Sequence, residues 1–110
     1  MAVDLADIAA RLQARMAELA AEEDAAAAST APVTLEQDAV GRLSRIDAMQ
    51  MQAMALATRE RRRTEKERIL AALRRIESGD YGWCVACGED IADARLRNDP
   101  TATHCITCAR

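Results

Sequence analysis

Apolar residues recur at helical spacing over much of the chain. Leu5, Ile8, Leu12, Met16 and Leu19 fall three and four apart, with Arg11, Arg15, Glu18, Glu22 and Glu23 between them. That stripe predicts an amphipathic helix over residues 4–24, with Asp4 or Asp7 capping its start. Its polar side is mixed in sign and lacks aromatics, which suits a partner helix better than a membrane surface. Residues 25–33, Ala-Ala-Ala-Ala-Ser-Thr-Ala-Pro-Val, could prolong this helix through the alanines, but Pro32 disfavours helix at the residue before it. A turn is therefore expected within 25–33.

Thr34 and Gln37 have capping-box spacing, and no proline follows until after Ser78, where Gly79 stands at a C-cap position. This predicts a second helix of roughly 45 residues, about 65 Å long, unless Gly41 marks its true start. Paired outward from a tight turn, Leu19 falls near Leu43, Met16 near Ile46, Leu12 near Met49 or Gln50, Ile8 near Ala53 or Met54, and Leu5 near Leu56 or Ala57. Apolar positions meet apolar positions, so an antiparallel helical hairpin is expected, with Met49, Met51 and Met54 filling or flanking its seam. Residues 59–68 carry no large apolar side chain and read as a solvated neck. Arg61–Glu65 and Arg63–Glu67 are spaced for ion pairs there. The apolar period returns at Ile69, Leu73 and Ile76. On this register no first-helix residue is left to cover them, so Trp83, Val85, Ile91 and Leu96 are the expected cover.

The fold class that follows is mainly α: an antiparallel helical hairpin (coiled coil) over 1–78 and a small C-terminal four-cysteine unit over 79–110. Composition agrees, with four glycines, two prolines, no Phe and single Trp and Tyr residues in 110. A net charge of −3 argues against a wholly nucleic-acid-binding surface. Arg59, Arg61, Arg62 and Arg63 still form a local positive patch. The opening residues lack the basic and apolar regions of a signal peptide, and no run is long enough to span a membrane, which suits a cytoplasmic protein.

Cys84-x2-Cys87, then seventeen residues, then Cys105-x2-Cys108 carries the chemistry. Two such pairs folded together offer four thiolates in a tetrahedron, the donor set of one structural Zn2+ per chain. Four protein ligands leave no open position, so the metal stabilises and does not catalyse. Gly88 suits a left-handed turn after the second cysteine. An iron–sulfur centre, a redox Cys-x-x-Cys pair and disulfides are the alternatives; disulfides would require an oxidising compartment. His104, beside Cys105, is read as a neighbour of the metal. A short helix is expected over 89–95. Arg95 and Arg97 either offset the negative site or present charge outward.

The stretch from Tyr81 to Arg97, with Gly-x-Cys-x-x-Cys-Gly and Arg-Leu, and the following Asn98-Asp-Pro-Thr-Ala-Thr-His-Cys-Ile-Thr-Cys108 closely resemble the zinc finger of the DksA/TraR family. The resemblance is specific over residues 69–109 and architectural over 1–68. It implies a noncatalytic transcription regulator that binds bacterial RNA polymerase, with the coiled coil entering the secondary channel and the finger bracing on its rim. Some family members act with ppGpp. The chain is shorter than the full-length family pattern and resembles its reduced forms. The family's tip motif, Asp-x-x-Asp-x-Ala, is missing: the corresponding positions are Gly41 and Ser44. Asp38 and Asp47 are the nearest substitutes, with Arg42 and Arg45 beside them. Candidate partner-binding residues are therefore Asp38, Arg42, Arg45, Asp47, Arg59, Arg62, Arg63, Arg95 and Arg97. Sequence-specific DNA binding and membrane contact are not expected. The competing readings are a zinc-stabilised protein-interaction adaptor and a weak nucleic-acid-binding zinc ribbon.

Overall fold

The structure, a computed structural model, describes residues 3–29 and 42–109. Among these described residues three helices occur in order: α1 (Leu5–Ser29), α2 (Arg42–Ser78) and α3 (Asp93–Asn98). Asp4 caps α1, its Oδ1 accepting the Ala6 N–H at 3.0 Å. The alanines prolong α1 through residues 25–29, so that part of the expected turn is helical. The remaining connection, the Thr34–Gln37 capping box and Gly41 lie outside the described residues.

α2 ends as Gly79 predicts. Gly79 takes φ +82°. Its N–H donates to the Ile76 carbonyl, and the Asp80 N–H donates to the Arg75 carbonyl at 2.9 Å. These two bonds form a Schellman cap, which satisfies carbonyls that the last turn would otherwise leave open. The 37 residues of α2 span about 55 Å at the standard rise. This helix accounts for the elongated molecule, 62 × 28 × 19 Å with a radius of gyration of 19.6 Å, against about 13 Å for a compact chain of this length.

α1 packs against α2, but in a different register from the one expected from the turn. Leu12 lines a groove together with Ile69, well beyond the Met49 level. Arg15 pairs with Glu65 and Glu23 with Lys66. Residues 59–68 are thus no isolated neck, because α1 runs alongside them. Glu65 binds Arg15 from α1, while Arg61 donates to the Thr58 hydroxyl. Of the two ion pairs expected within the neck, Arg63–Glu67 forms at 3.6 Å.

The reason lies in the core. Ile8, Leu12 and Leu19 of α1 join Ile69 and Ala72 of α2 and Tyr81, Cys84, Ile91, Leu96 and Ala102 in one buried cluster. Leu73 and Ile76 pack against it. Burying a large aliphatic or aromatic side chain is worth roughly 1.5–3 kcal/mol. A register that joins α1, α2 and the C-terminal unit therefore outweighs one that lays α1 along alanine and methionine. Ile46, Met49, Met51, Met54 and Leu56 are left exposed.

Of the four side chains expected to cover the end of α2, Ile91 and Leu96 are buried while Trp83 and Val85 are exposed. Tyr81 takes the central place. Its ring is 1% exposed, and its hydroxyl donates to the Pro100 carbonyl at 2.8 Å. The polar tip is thereby satisfied inside an apolar cluster.

Candidate metal centre and helical arm

The C-terminal unit is built from two tight turns held side by side. In the first, Gly88 takes φ +76° and its N–H donates to the Cys84 carbonyl. Bonds from Cys84 N–H to Glu89 carbonyl and from Ile91 N–H to Gly82 carbonyl, both 2.8 Å, close a small ladder around the Trp83–Asp90 bridge. In the second, the Ala109 N–H donates to the Cys105 carbonyl. The Val85 N–H donates to the Thr103 carbonyl at 2.9 Å and ties the two turns together. α3 lies between them and sends Leu96 into the core. It begins four residues later than the short helix expected over 89–95.

This scaffold brings the four cysteine sulfurs within 4.8 Å of one another. Cys87 Sγ and Cys105 Sγ are 3.7 Å apart, and all four cysteines are free thiols. A tetrahedral zinc with bonds of about 2.3 Å sets its sulfurs roughly 3.8 Å apart. The separation matches that geometry and is far too long for a disulfide.

Thiol chemistry points the same way. Backbone amides of Cys105 and Cys87 pull the Cys84 thiol down to about 6. The Cys108 amide and thiol likewise lower Cys105. At Cys87 the Glu89 amide favours the thiolate, but the Cys84 and Cys105 sulfurs and burial outweigh it, and the thiol is raised. Cys105 and its neighbours drive Cys108 up to about 12. Four sulfurs this close resist ionising together unless a cation sits among them. The donor set and spacing therefore fit one divalent, thiolate-preferring ion. His104 stands outside the set: its Nδ1 lies 2.8 Å from Thr103 Oγ1, and its carbonyl accepts from Arg95 Nε.

Polar contacts fasten this centre to the helices. Arg11 of α1 donates to the Arg97 carbonyl at 2.9 Å. Arg68 of α2 reaches the Asp99 carboxylate at 3.5 Å. The same carboxylate accepts from Thr101 N–H and Oγ1 and shapes the turn. Along α1 and α2, Arg15 grips Glu65 through two bonds of 2.6 and 3.0 Å. This contact holds the Glu65 carboxyl below its usual range. Sequence reasoning missed Arg11, Arg15, Tyr81 and Arg68. The Asn98-Asp99-Pro100 run marks in sequence the turn that Tyr81 and Arg68 secure.

The candidate partner-binding residues are dispersed. Asp38 lies outside the described residues, and Arg42 opens α2. Arg45, Asp47, Arg59 and Arg63 are exposed along α2, while Arg62 is half-buried. Arg95 is half-buried and committed to the His104 carbonyl, whereas the Arg97 side chain is exposed.

A long helical hairpin carrying a four-sulfur finger at its base defines a class of small zinc-finger protein. Residues 79–110 match the family model described as "Prokaryotic dksA/traR C4-type zinc finger". The likeness to the DksA/TraR family shown by that model is confined to this C-terminal unit. The chain is 50% identical over 54 residues to an RNA polymerase-binding transcription factor DksA of Caulobacter vibrioides, covering 49% of this chain and 38% of that protein. With a protein of the same name from Haemophilus influenzae it shares 39% over 56 residues, 51% of this chain and 39% of that protein. The matched stretch thus spans about two fifths of these curated relatives. The solved structure of transcription factor DksA2 from Pseudomonas aeruginosa superposes with a TM-score of 0.81 at 28% identity, covering 96% of this chain and 79% of that one.

Proposed function

We propose that this protein is a noncatalytic transcription regulator that binds bacterial RNA polymerase, with its helical arm entering the secondary channel and its metal-held finger bracing the arm at the rim. The observation that carries this reading is the joint placement of the finger and the base of the arm in one buried cluster. It is found in a chain that is 50% identical over 54 residues to an RNA polymerase-binding transcription factor. Four protein donors leave a bound zinc no open position, so its work is structural. Among the described residues no helix is long and apolar enough to cross a membrane, in keeping with action in the cytoplasm.

The experiment is retention by immobilised core RNA polymerase at low salt, with zinc quantified on the same sample. Stoichiometric zinc and specific retention support the reading, and absence of retention rejects it. The lack of carboxylates at positions 41 and 44 favours a second reading, in which the hairpin binds without altering transcription. Charge reversal at Asp38 and Asp47 separates the two: altered promoter output in vitro supports a working tip, and unchanged output from a bound variant supports an adaptor. The same assay with and without ppGpp decides whether the nucleotide takes part.

A further inference from the structure

We infer that the groove between the end of α1 and the middle of α2 is a binding site for a free aliphatic α-amino acid, whose carboxylate meets the α2 wall and whose ammonium group meets the α1 wall. The inference does not rest on the polymerase reading, and its test uses no polymerase.

The groove offers about 660 Å³, a size usual for small-molecule sites. It shares no residue with the groove that Leu12 and Ile69 line. Its two walls differ in charge. Arg59 and Arg62 line it from α2, and Glu23 and Asp24 line it from α1. Glu23 is already taken by Lys66 at 3.3 Å. Among the described residues the side chains of Asp24, Arg59 and Arg62 form no ion pair or hydrogen bond. Opposite charges that line one groove without pairing leave room between them for a molecule that carries both.

Arg62 gives the stronger indication. It is half-buried, and its Nε is enclosed without an acceptor. Enclosed donors are nearly always paired in folded proteins, and a ligand carboxylate supplies the missing acceptor. Arg59 stands three residues earlier on the same side of the helix, so both guanidinium groups can serve one carboxylate. A simple anion suits the groove less well, because it meets the carboxylates of Asp24 and Glu23 as well as the arginines. An ammonium group on the neighbouring carbon turns Asp24 from an opponent into a partner. Ala55 and Leu56 complete the lining on the α2 side. Leu56 is 55% exposed, and an aliphatic side chain laid over it removes apolar surface from water.

The experiment is a titration of the full-length, zinc-loaded protein with L-leucine, followed by amide NMR shifts and by calorimetry. Saturable shifts over residues 23–27 and 55–62 are expected at millimolar leucine or below. Isocaproate, which lacks the ammonium group, and L-leucinamide, which lacks the carboxylate, should each bind about tenfold more weakly or worse. Asp24→Asn and Arg59→Gln change exposed side chains and should leave far-UV circular dichroism unchanged while weakening leucine binding by a similar factor. Arg62→Lys keeps the charge and removes the Nε donor, and it should weaken binding too. Absence of saturable shifts at millimolar leucine overturns the inference. Isocaproate binding as tightly as leucine overturns it in favour of a site for simple anions. Leucine affinity unchanged in all three variants also overturns it, since the ligand would then sit elsewhere.

Discussion

Tyr81 and Gly88 show how single residues secure the finger. The Tyr81 ring fills the junction of the finger and both long helices, while its hydroxyl serves one carbonyl, that of Pro100. Removing the hydroxyl costs about 1 kcal/mol and removing the ring about 3–5. Tyr81→Phe should therefore melt a few degrees lower, and Tyr81→Ala should be largely unfolded at ambient temperature; thermal denaturation measures both. Gly88 has φ +76° with nothing within 4 Å of an added Cβ. Gly88→Ala therefore pays only for backbone conformation, roughly 1–2 kcal/mol. It should keep its full zinc content with a lowered melting temperature, and a variant that loses zinc would show that the turn is needed for binding itself. Gly79, Gly88 and the four cysteines were legible because each role is fixed by local geometry. Tyr81 was not, because its partner Pro100 is nineteen residues away.

At the scale of the element, α2 explains why the register escaped the pattern of apolar residues. Its stripe towards α1 passes through Thr58, Arg62 and Glu65, while the large apolar side chains Ile46, Met49 and Leu56 stay exposed. Matching hydrophobic to hydrophobic therefore selected the wrong register. The actual pairing is specified in part by charge, through Arg15 with Glu65 and Glu23 with Lys66. This has a pH consequence. Arg15 lowers the Glu65 carboxyl in the folded state. Below the ordinary glutamate range the unfolded chain binds the proton more readily, so stability rises with pH there. The contribution is complete at neutral pH and is lost as pH falls through the lowered folded value. Melting temperature should fall more steeply between about pH 5 and 3 for the wild type than for Glu65→Gln. Parallel curves would mean that the contact contributes nothing in solution, as exposed ion pairs sometimes do.

For the whole molecule, the buried cluster makes a strong demand on cooperativity. Division into a hairpin over 1–78 and a finger over 79–110 follows the sequence boundary at Gly79. Yet Cys84 is a member of the same cluster as Ile8 and Leu12. The metal centre thus sits against the root of the arm, and Arg11 and Arg68 tie its far turn to both helices. Unfolding can be followed separately in the two parts, because Trp83 is the only tryptophan and lies in the finger, whereas ellipticity at 222 nm reports mainly α1 and α2. The two transitions should coincide, and a zinc chelator should lower both together. Cys84→Ser should lower them further than Cys87→Ser, because Cys84 is 2% exposed within the core while Cys87 is exposed. If chelation moved only the Trp83 transition, the arm would stand without its finger. The metal would then fix the direction of the arm without contributing to its stability.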